Sequence, residues 1–184
     1  TLEEKEYLIN LSRTTLKKYL SEGKKPQIKK DKIPARLLKV QGCFVTLNKN
    51  NRLRGCIGHI LPQEPLYECV IENSINAALH DKRFPQVKKQ ELDDIEIEIS
   101  ALSVPKELKH ESQKDLLEKL KPMEHGVILK RGLHQSTYLP QVWEQLPGKE
   151  TFLTRLCKKG GMENDCWKKS NTQIKVYEAT VWHE

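Results

Sequence analysis

A cysteine set between two glycines carries the clearest chemical signal in this sequence, at Cys56 within Leu53–His59. Glycine inside a strand pattern costs stability and usually marks a bulge, a bend or a close approach to the backbone. In an extended segment alternate side chains share one face, so Arg54, Cys56 and Gly58 would lie together. A fixed positive charge beside a thiol favours the nucleophilic thiolate. We therefore predict that Cys56 and Arg54 form a reactive pair and that Gly55 and Gly58 contact a ligand, although Cys56 could instead be a small buried hydrophobe.

Three other charged side chains are candidates for the same site. Asp81 and Arg83 lie two residues apart, so the carboxylate could orient a guanidinium or a proton-transfer partner. The alternative is a salt bridge that only fixes a loop. Glu98 lies on the polar side of an alternating strand pattern, where a carboxylate near a cavity would have a raised pKa and could act as acid or base. A glutamate that simply faces solvent is the alternative reading.

A histidine and an amide complete the candidate site. His59 could be a base for Cys56, but it falls on the opposite face of a strand unless a glycine bulge turns it. Gln141 follows a proline and could present its amide to a ligand, or could merely satisfy nearby backbone groups.

Metals and nucleotide cofactors receive no support from the sequence. The six histidines show none of the short paired spacings typical of zinc or iron sites. Gly55 and Gly58 do not make a phosphate-binding loop. We expect no bound metal and no cofactor.

Short motifs in a fixed order give the chain a specific resemblance. They are Gly42–Leu47, Leu53–Gly58, Asp81–Pro85, Ile97–Ser100, Leu139–Val142 and the segment from Phe152 to Gly160, followed by Trp167. In these runs the sequence resembles the AMMECR1 domain family, called system protein A in bacterial gene clusters that also encode a Memo-like protein and a radical-SAM protein. The sequence departs from the family's usual pattern at Lys82 and at Gly160.

The resemblance implies a fold and possible partners, and it brings no settled reaction. It implies two unequal, interleaved lobes with a cleft between them. It also implies that the chain could be an interaction subunit working with Memo-like and radical-SAM proteins, in which the motif around Cys56 would be a docking surface.

The composition is that of a soluble, folded protein whose positive charge is unevenly distributed along the sequence. The 184 residues suit one domain and carry a net charge of +7. The five cysteines are an odd number without a C-x-x-C pair, so we interpret them as reduced thiols. No apolar run is long enough to span a bilayer and no signal-like segment opens the chain. These features predict a cytoplasmic protein with no membrane association.

The positive charge is concentrated between residues 24 and 39, where seven lysines and arginines accompany one aspartate. Such a run could bind nucleic acid through phosphate contacts. It lacks interleaved aromatic residues, which favours a solvated connector instead.

Periodicity predicts the elements that must position these residues. Helices are predicted at 3–21, 65–79, 114–120 and 152–159, with Gly23 ending the first and Thr151 capping the last. Hairpins are predicted at 44–60, around Asn48–Asn51, and at 126–139, around Gly132. Single strands are predicted at 95–103 and 173–182. Hairpins mixed with helices indicate an α+β domain with mainly antiparallel sheet, occupying residues 1–184 as one domain.

The sequence thus predicts an enzyme or enzyme accessory that binds a small polar or anionic group around Cys56. Arg54 and Arg83 would hold the negative charge, Cys56 would be the reactive or contact thiol, and Glu98 or Asp81 would move protons.

Overall fold

The computed structural model describes residues 1–184 and confirms the predicted α+β class. The chain forms two compact units. The first contains Thr1–Val104 and Thr180–Glu184, and the second contains Pro105–Ala179. Each unit has its own four-stranded sheet and its own apolar core.

The first helix, α1, spans Leu2–Glu22 and closely matches the prediction from periodicity. It begins with a capping box, in which Thr1 and Glu4 satisfy each other's free backbone N–H groups. It ends at Gly23, whose φ of 68° is left-handed, a conformation that glycine adopts without steric cost. Its apolar stripe is buried against the first core.

The sheet of the first unit positions the candidate site. It contains β1 (Cys43–Lys49), β2 (Arg52–His59), β3 (Ile95–Leu102) and β8 (Ala179–His183), in the order β2-β1-β3-β8. Strands β1 and β2 form the predicted hairpin, and Asn50 and Asn51 provide the positive φ angles of its turn. Strand β1 is central and pairs antiparallel with both β2 and β3.

Helix α2 (Leu66–Leu79) covers one face of that sheet. Alternate strand residues, among them Val45, Leu47 and Ile99, point toward the helix and are completely buried. The opposite face of the same strands carries Thr46, Cys56 and Glu98, which are half-buried. The sheet therefore has one closed, apolar face and one polar face.

The second unit is built around an antiparallel sheet and two helices. Its elements are β4 (Lys106–Glu107), α3 (Gln113–Lys119), β5 (Gly126–Arg131), β6 (His134–Tyr138), α4 (Lys149–Lys159) and β7 (Gln173–Tyr177). The strand order in the sheet is β4-β7-β5-β6. The indole of Trp143 stacks on the ring of Phe152 with centroids 3.6 Å apart in its core. The hairpin around Gly132 is confirmed.

Two predictions about the second half of the chain are wrong. Helix α4 begins at Lys149 with Gly148 as its N-cap, not at Phe152 after Thr151. Lys149 and Glu150 are good helix formers, so the helix extends one turn further toward its N-terminus. The single strand predicted at 173–182 is two strands, because β7 ends at Tyr177 in one sheet and β8 begins at Ala179 in the other.

The expectation that all five cysteines are reduced thiols is also wrong. Cys157 of α4 forms a disulfide with Cys166, and Cys43 of β1 forms one with Cys69 of α2. Only Cys56 is a free thiol. Sequence spacing does not reveal such pairs, because the partners come from different elements that folding brings together. No helix has the length and apolar character that crossing a bilayer requires.

Candidate functional site

On the polar face of the first sheet, the side chains of Cys56, Thr46 and Glu98 lie in one row. Cys56 lies directly opposite Thr46 in the β1–β2 pairing, and Thr46 lies directly opposite Glu98 in the β1–β3 pairing. Residues paired in this way have Cβ atoms about 5 Å apart. The Thr46 hydroxyl donates a hydrogen bond to the Cys56 sulfur over 3.2 Å. A thiol, a hydroxyl and a carboxylate therefore stand side by side across three strands.

Asp81 fixes the backbone of this row from the end of α2. Its side chain is only 5% exposed. One carboxylate oxygen accepts the backbone N–H of Cys56 at 2.9 Å. The carboxylate also accepts the backbone N–H of Arg83 at 3.1 Å and two guanidinium N–H groups of Arg83 at 3.0 and 2.7 Å. These donors, above all the Arg83 guanidinium, hold the pKa of Asp81 well below its usual range.

Arg83 is the cation that lies nearest to Cys56 in this arrangement. Its Nη2 donates to the backbone carbonyl of Cys56 at 3.3 Å, and its guanidinium carbon lies 5.4 Å from the centre of the Phe84 ring. The side chain remains 58% exposed. Its hydrogen bonds use Nε and Nη2.

Glu98 is held at the other end of the row by a residue that sequence reasoning missed. The Nδ1 atom of His183, on β8, lies 3.3 Å from a carboxylate oxygen of Glu98. Nothing in the sequence pattern links His183 to this site, because β8 joins the sheet from the far end of the chain. Thr46 was also missed, because the bulge shifts the β1–β2 pairing by one residue, and regular counting from the turn at Asn50 and Asn51 would place Thr46 opposite Gly55.

The Cys56 thiol has the opposite electrostatic state from the one predicted. Burial raises its pKa above the ordinary value, and the nearby carboxylates of Glu98 and Asp81 raise it further. The Thr46 hydrogen bond and the Arg83 charge lower it without cancelling burial. Cys56 is therefore a protonated thiol at neutral pH, not a thiolate.

Arg54 does not accompany Cys56, and this corrects the central expectation from the sequence. The pairing of β1 with β2 passes from Leu47–Gly55 to Asn48–Leu53, so Arg54 is the unpaired residue of a β-bulge. Bulges redirect side chains. The Arg54 guanidinium turns to the Glu91 carboxylate at 3.0 and 3.3 Å and to the carbonyl oxygen of Pro85 at 2.7 Å.

The pairing with Arg54 makes Glu91 a strongly acidic carboxyl. Hydrogen bonds from Arg54, from the Lys88 backbone and from Lys49 lower the pKa of Glu91 to about 2. The Arg54 side chain is 14% exposed and that of Glu91 is 22% exposed. This partly buried ion pair connects the 3₁₀ turn of residues 89–94 to the β1–β2 hairpin. It does not contribute charge to Cys56.

Both glycines of the motif serve packing rather than a ligand. A Cβ at Gly55 would fall on the carbonyl oxygen of Ala77, so the close approach at this position is made by α2. A Cβ at Gly58 would collide with the carbonyl oxygen of Cys43 and the ring of Phe44. The expectation that Gly55 and Gly58 contact a ligand is therefore corrected.

His59 and Gln141 lie away from the row. His59 projects from the face opposite Cys56, where its Nε2 is 3.4 Å from a Glu64 carboxylate oxygen and 3.7 Å from the Cys69 sulfur. The Cys56–His59 dyad is thus excluded by strand alternation. Gln141 belongs to the second unit, in a 3₁₀ turn, and its Oε1 is buried without a hydrogen-bond donor. Its role as a ligand-binding amide stays a prediction.

The basic segment 24–39 lies on the surface of the first unit and is anchored by Ile33 and Leu37, which are buried. Lys25 pairs with Glu72, and Arg36 lies 3.5 Å from Glu4. The remaining basic side chains are exposed and form no ion pair. They are Lys24, Lys29, Lys30, Lys32 and Lys39.

The α+β architecture and the motif around Cys56 define the class of protein. The sequence model of the AMMECR1 family matches residues 9–182, so the chain belongs to the AMMECR1 family. Protein MK0488 of Methanopyrus kandleri is 39% identical over 193 residues, which cover 100% of this chain and 90% of that protein. A protein of Thermococcus onnurineus is 38% identical over an alignment that covers 97% of this chain and 89% of that protein.

A crystal structure from the same family has the same fold. It is the structure of the uncharacterized protein PH0010 from Pyrococcus horikoshii, which is 35% identical to this chain. The two superimpose with a TM-score of 0.87 over 99% of this chain and 92% of PH0010.

Proposed function

We propose that this protein is an enzyme or enzyme accessory that binds a small polar or anionic group on the polar face of the first sheet. One observation carries the proposal: Cys56, Thr46 and Glu98 stand in register on a half-buried surface, although the other face of the same strands is closed apolar core. In sites for small ligands, a small number of convergent polar groups fix the orientation of the ligand.

The geometry revises the role of each side chain. Arg83 takes the place of Arg54 as the cation for a negatively charged group, since its side chain is 58% exposed and its hydrogen bonds use only Nε and Nη2. Asp81 is a positioning residue, because its carboxylate is fully engaged by Arg83 and the Cys56 backbone. Cys56 is a protonated contact thiol. Glu98, paired with His183, is the group placed to exchange a proton with the ligand.

Two alkylating agents that differ only in charge test this proposal. The thiol sulfur displaces iodide from iodoacetamide, which is neutral, or from iodoacetate, which is an anion of similar size. An exposed guanidinium beside Cys56 attracts the anion, so the rate ratio of iodoacetate to iodoacetamide should be about threefold or more above that of the urea-unfolded chain. Mass spectrometry of the Cys56 peptide measures both rates.

A matched pair of arginine variants assigns the effect. Arg83→Gln should reduce the native rate ratio to the unfolded value, because it removes the cation whose charge acts on the Cys56 thiol. Arg52→Gln also removes one positive charge, but from an exposed position on β2, the strand that carries Cys56. This variant should leave the rate ratio unchanged. A native ratio equal to that of the unfolded chain would contradict an anion site at Cys56.

The exposed lysines of segment 24–39 favour nucleic acid as a second candidate ligand. Five of them form no ion pair, so their charge is available to phosphates. A Lys29→Gln/Lys30→Gln variant should weaken RNA binding and flatten its dependence on salt by about two counterions. A Lys114→Gln/Lys158→Gln variant is the charge-matched control, from exposed positions of the second unit. Equal salt slopes for the two variants would exclude the segment as the binding surface.

A further inference from the structure

The closed face of the first sheet carries a second cluster of reactive side chains that the proposed function does not use. Cys43 on β1 and His59 on β2 are directly paired across the hairpin, so both side chains point toward α2. Cys69 projects from α2 to meet them, and Glu64 reaches in from the loop between β2 and α2. The sequence does not reveal this cluster, because its side chains come from two paired strands, a loop and a helix.

The spacing of the donor atoms is that of a metal coordination shell. The His59 Nε2 atom lies 3.4 Å from a Glu64 carboxylate oxygen and 3.7 Å from the Cys69 sulfur. All three donor atoms lie within 4.8 Å of one another. Donors bound tetrahedrally to zinc at its usual bond lengths are separated by about 3.3 to 3.8 Å. The two distances from His59 lie in that range, whereas the Cys43 and Cys69 sulfurs, which are bonded to each other in the disulfide, must separate to about 3.8 Å to bind an ion.

A buried amide is aimed at the two sulfurs of the cluster. Asn73, which is 3% exposed, directs its Nδ2 atom to the Cys69 sulfur at 3.3 Å and to the Cys43 sulfur at 3.6 Å. A donor in this position stabilises negative charge on sulfur, as the hydrogen-bonding partners of metal ligands do.

The cluster also has a route to solvent. Both cysteines are completely buried, whereas the side chains of His59 and Glu64 are each 24% exposed. An ion can therefore reach the imidazole and the carboxylate from the surface and then meet the sulfurs behind them.

We propose that His59, Glu64 and Cys69 bind a zinc ion when Cys69 is reduced, with Cys43 supplying the fourth ligand. Thiolate, imidazole and carboxylate together are the donor set that zinc prefers. The Cys43–Cys69 disulfide and the bound ion exclude each other, because a disulfide sulfur has no free thiolate. Reduction by a thiol breaks the S–S bond with two electrons and two protons, the reductant becomes a disulfide, and the freed thiols release their protons on binding zinc.

Cobalt(II) is the probe that tests this site, because tetrahedral thiolate coordination gives it intense visible bands and a thiolate charge-transfer band. The reduced protein should bind one equivalent of cobalt with these bands, and zinc should displace it. The disulfide form should show neither band. Absence of the bands in the reduced protein would overturn the proposal, and so would equal binding in both forms.

Single cysteine variants separate this cluster from the other thiols. Cys69→Ser should abolish the charge-transfer band, whereas Cys56→Ser removes the free thiol of the opposite face and should leave it unchanged. Cys43→Ser should bind cobalt more weakly but without any reductant, because no disulfide can then form. A band that survives Cys69→Ser or disappears in Cys56→Ser would place the metal elsewhere.

Two conservative variants keep the test valid if Cys69→Ser does not fold. Glu64→Gln and His59→Gln retain both sulfurs and should each weaken cobalt binding about tenfold or more. In the reduced wild-type protein, zinc should also raise the melting temperature in a concentration-dependent way, since the folded cluster holds it more tightly than the unfolded chain does. If the cluster is only a disulfide beside a His59–Glu64 ion pair, neither variant affects metal binding and zinc does not change the melting temperature.

Discussion

The two faces of the β1–β2 hairpin contain related side chains in contrasting environments. On the face that α2 covers, Cys43 is completely buried in a disulfide and Gly55 lies against the Ala77 carbonyl. On the opposite face, Cys56 is a free, half-buried thiol beside a hydroxyl and a carboxylate. Only strand alternation separates these environments, because successive residues of β2 point to opposite sides.

This difference explains why the short segment 55–59 both packs against α2 and contains the candidate reactive thiol. The odd-numbered residues of β2 from Gly55 to His59 meet α2, and Gly55 is required there because the helix backbone approaches so closely. Cys56 faces the other way and keeps access to solvent. The glycine beside the thiol is therefore evidence of a tight helix–sheet contact, and the site must be argued from the polar face alone.

The largest effect should come from breaking the close contact on the helix side. Gly55→Ala places a Cβ on the Ala77 carbonyl oxygen, and backbone atoms cannot move aside as a side chain can. We expect a loss of about 3 kcal/mol in the free energy of unfolding, measured by urea denaturation. Gly148→Ala is the control, since its Cβ would make only an ordinary contact with Thr151 at 3.5 Å, and its loss should be limited to the roughly 1 kcal/mol that alanine costs at an N-cap. Equal stability of the two variants would show that α2 is not closely packed at Gly55.

A slightly smaller effect should come from the polar side, at the carboxylate that holds the Cys56 backbone. Asp81→Asn keeps the shape of the side chain but removes the charge that binds Arg83 and the Cys56 N–H. We expect a loss of roughly 2 kcal/mol in the free energy of unfolding, because charge-assisted hydrogen bonds of a buried carboxylate are weakened. The loss should vanish in strong acid, where wild-type Asp81 is also protonated. Asp93→Asn, at an exposed site, is the control.

The sequence was a good guide to elements whose signals are local. The stripe of α1, the glycine after it and the asparagines of the hairpin turn each act within a few residues, and the structure confirms all three. The sequence predicted poorly those features that depend on contacts between segments far apart in the chain. The separation of β7 from β8 and the Cys43–Cys69 bond depend on sheet pairing and helix packing that no local pattern encodes.

The candidate site shows the same limit. Cys56 and Glu98 were found because each lies in a conspicuous local pattern, and strand register does place both on one face. Arg54 was misassigned because simple alternation assumes regular pairing, whereas the bulge gives Arg54 no partner on β1 and directs it to Glu91. His183 could not be predicted, because only the sheet order places β8 beside β3.

The Arg54–Glu91 pair offers a third test, based on pH. The pKa of Glu91 is about 2 in the folded chain and about 4.3 when unfolded, so the folded state holds its proton more weakly. Its contribution to stability is therefore fully present above the unfolded value and is lost as pH falls toward 2. Glu91→Gln should lose roughly 1–2 kcal/mol at neutral pH, after allowance for partial exposure.

The difference in unfolding free energy between wild type and Glu91→Gln should shrink as pH falls from about 4.5 toward 2. Urea titrations at a series of pH values measure it. Glu96→Gln, at an exposed position of β3, is the control and should show no such pH dependence. A constant difference across the acid range would mean that Arg54 is not bound to Glu91, and the predicted Arg54–Cys56 pair would regain its basis.

The smallest expected effect concerns the Cys56 thiol itself, and it separates the two faces most directly. Burial and the carboxylates of Glu98 and Asp81 raise the Cys56 pKa, so the rate of alkylation should rise at higher pH in the native protein than in the unfolded chain. Glu98→Gln removes one of those negative charges and should shift the native profile toward lower pH, whereas Glu96→Gln at the exposed neighbouring position should not. Site-resolved mass spectrometry distinguishes Cys56 from the disulfide-bonded cysteines. A native profile that lies below the unfolded one would mean that a cation dominates at Cys56, and Arg83 rather than the carboxylates would then control this face.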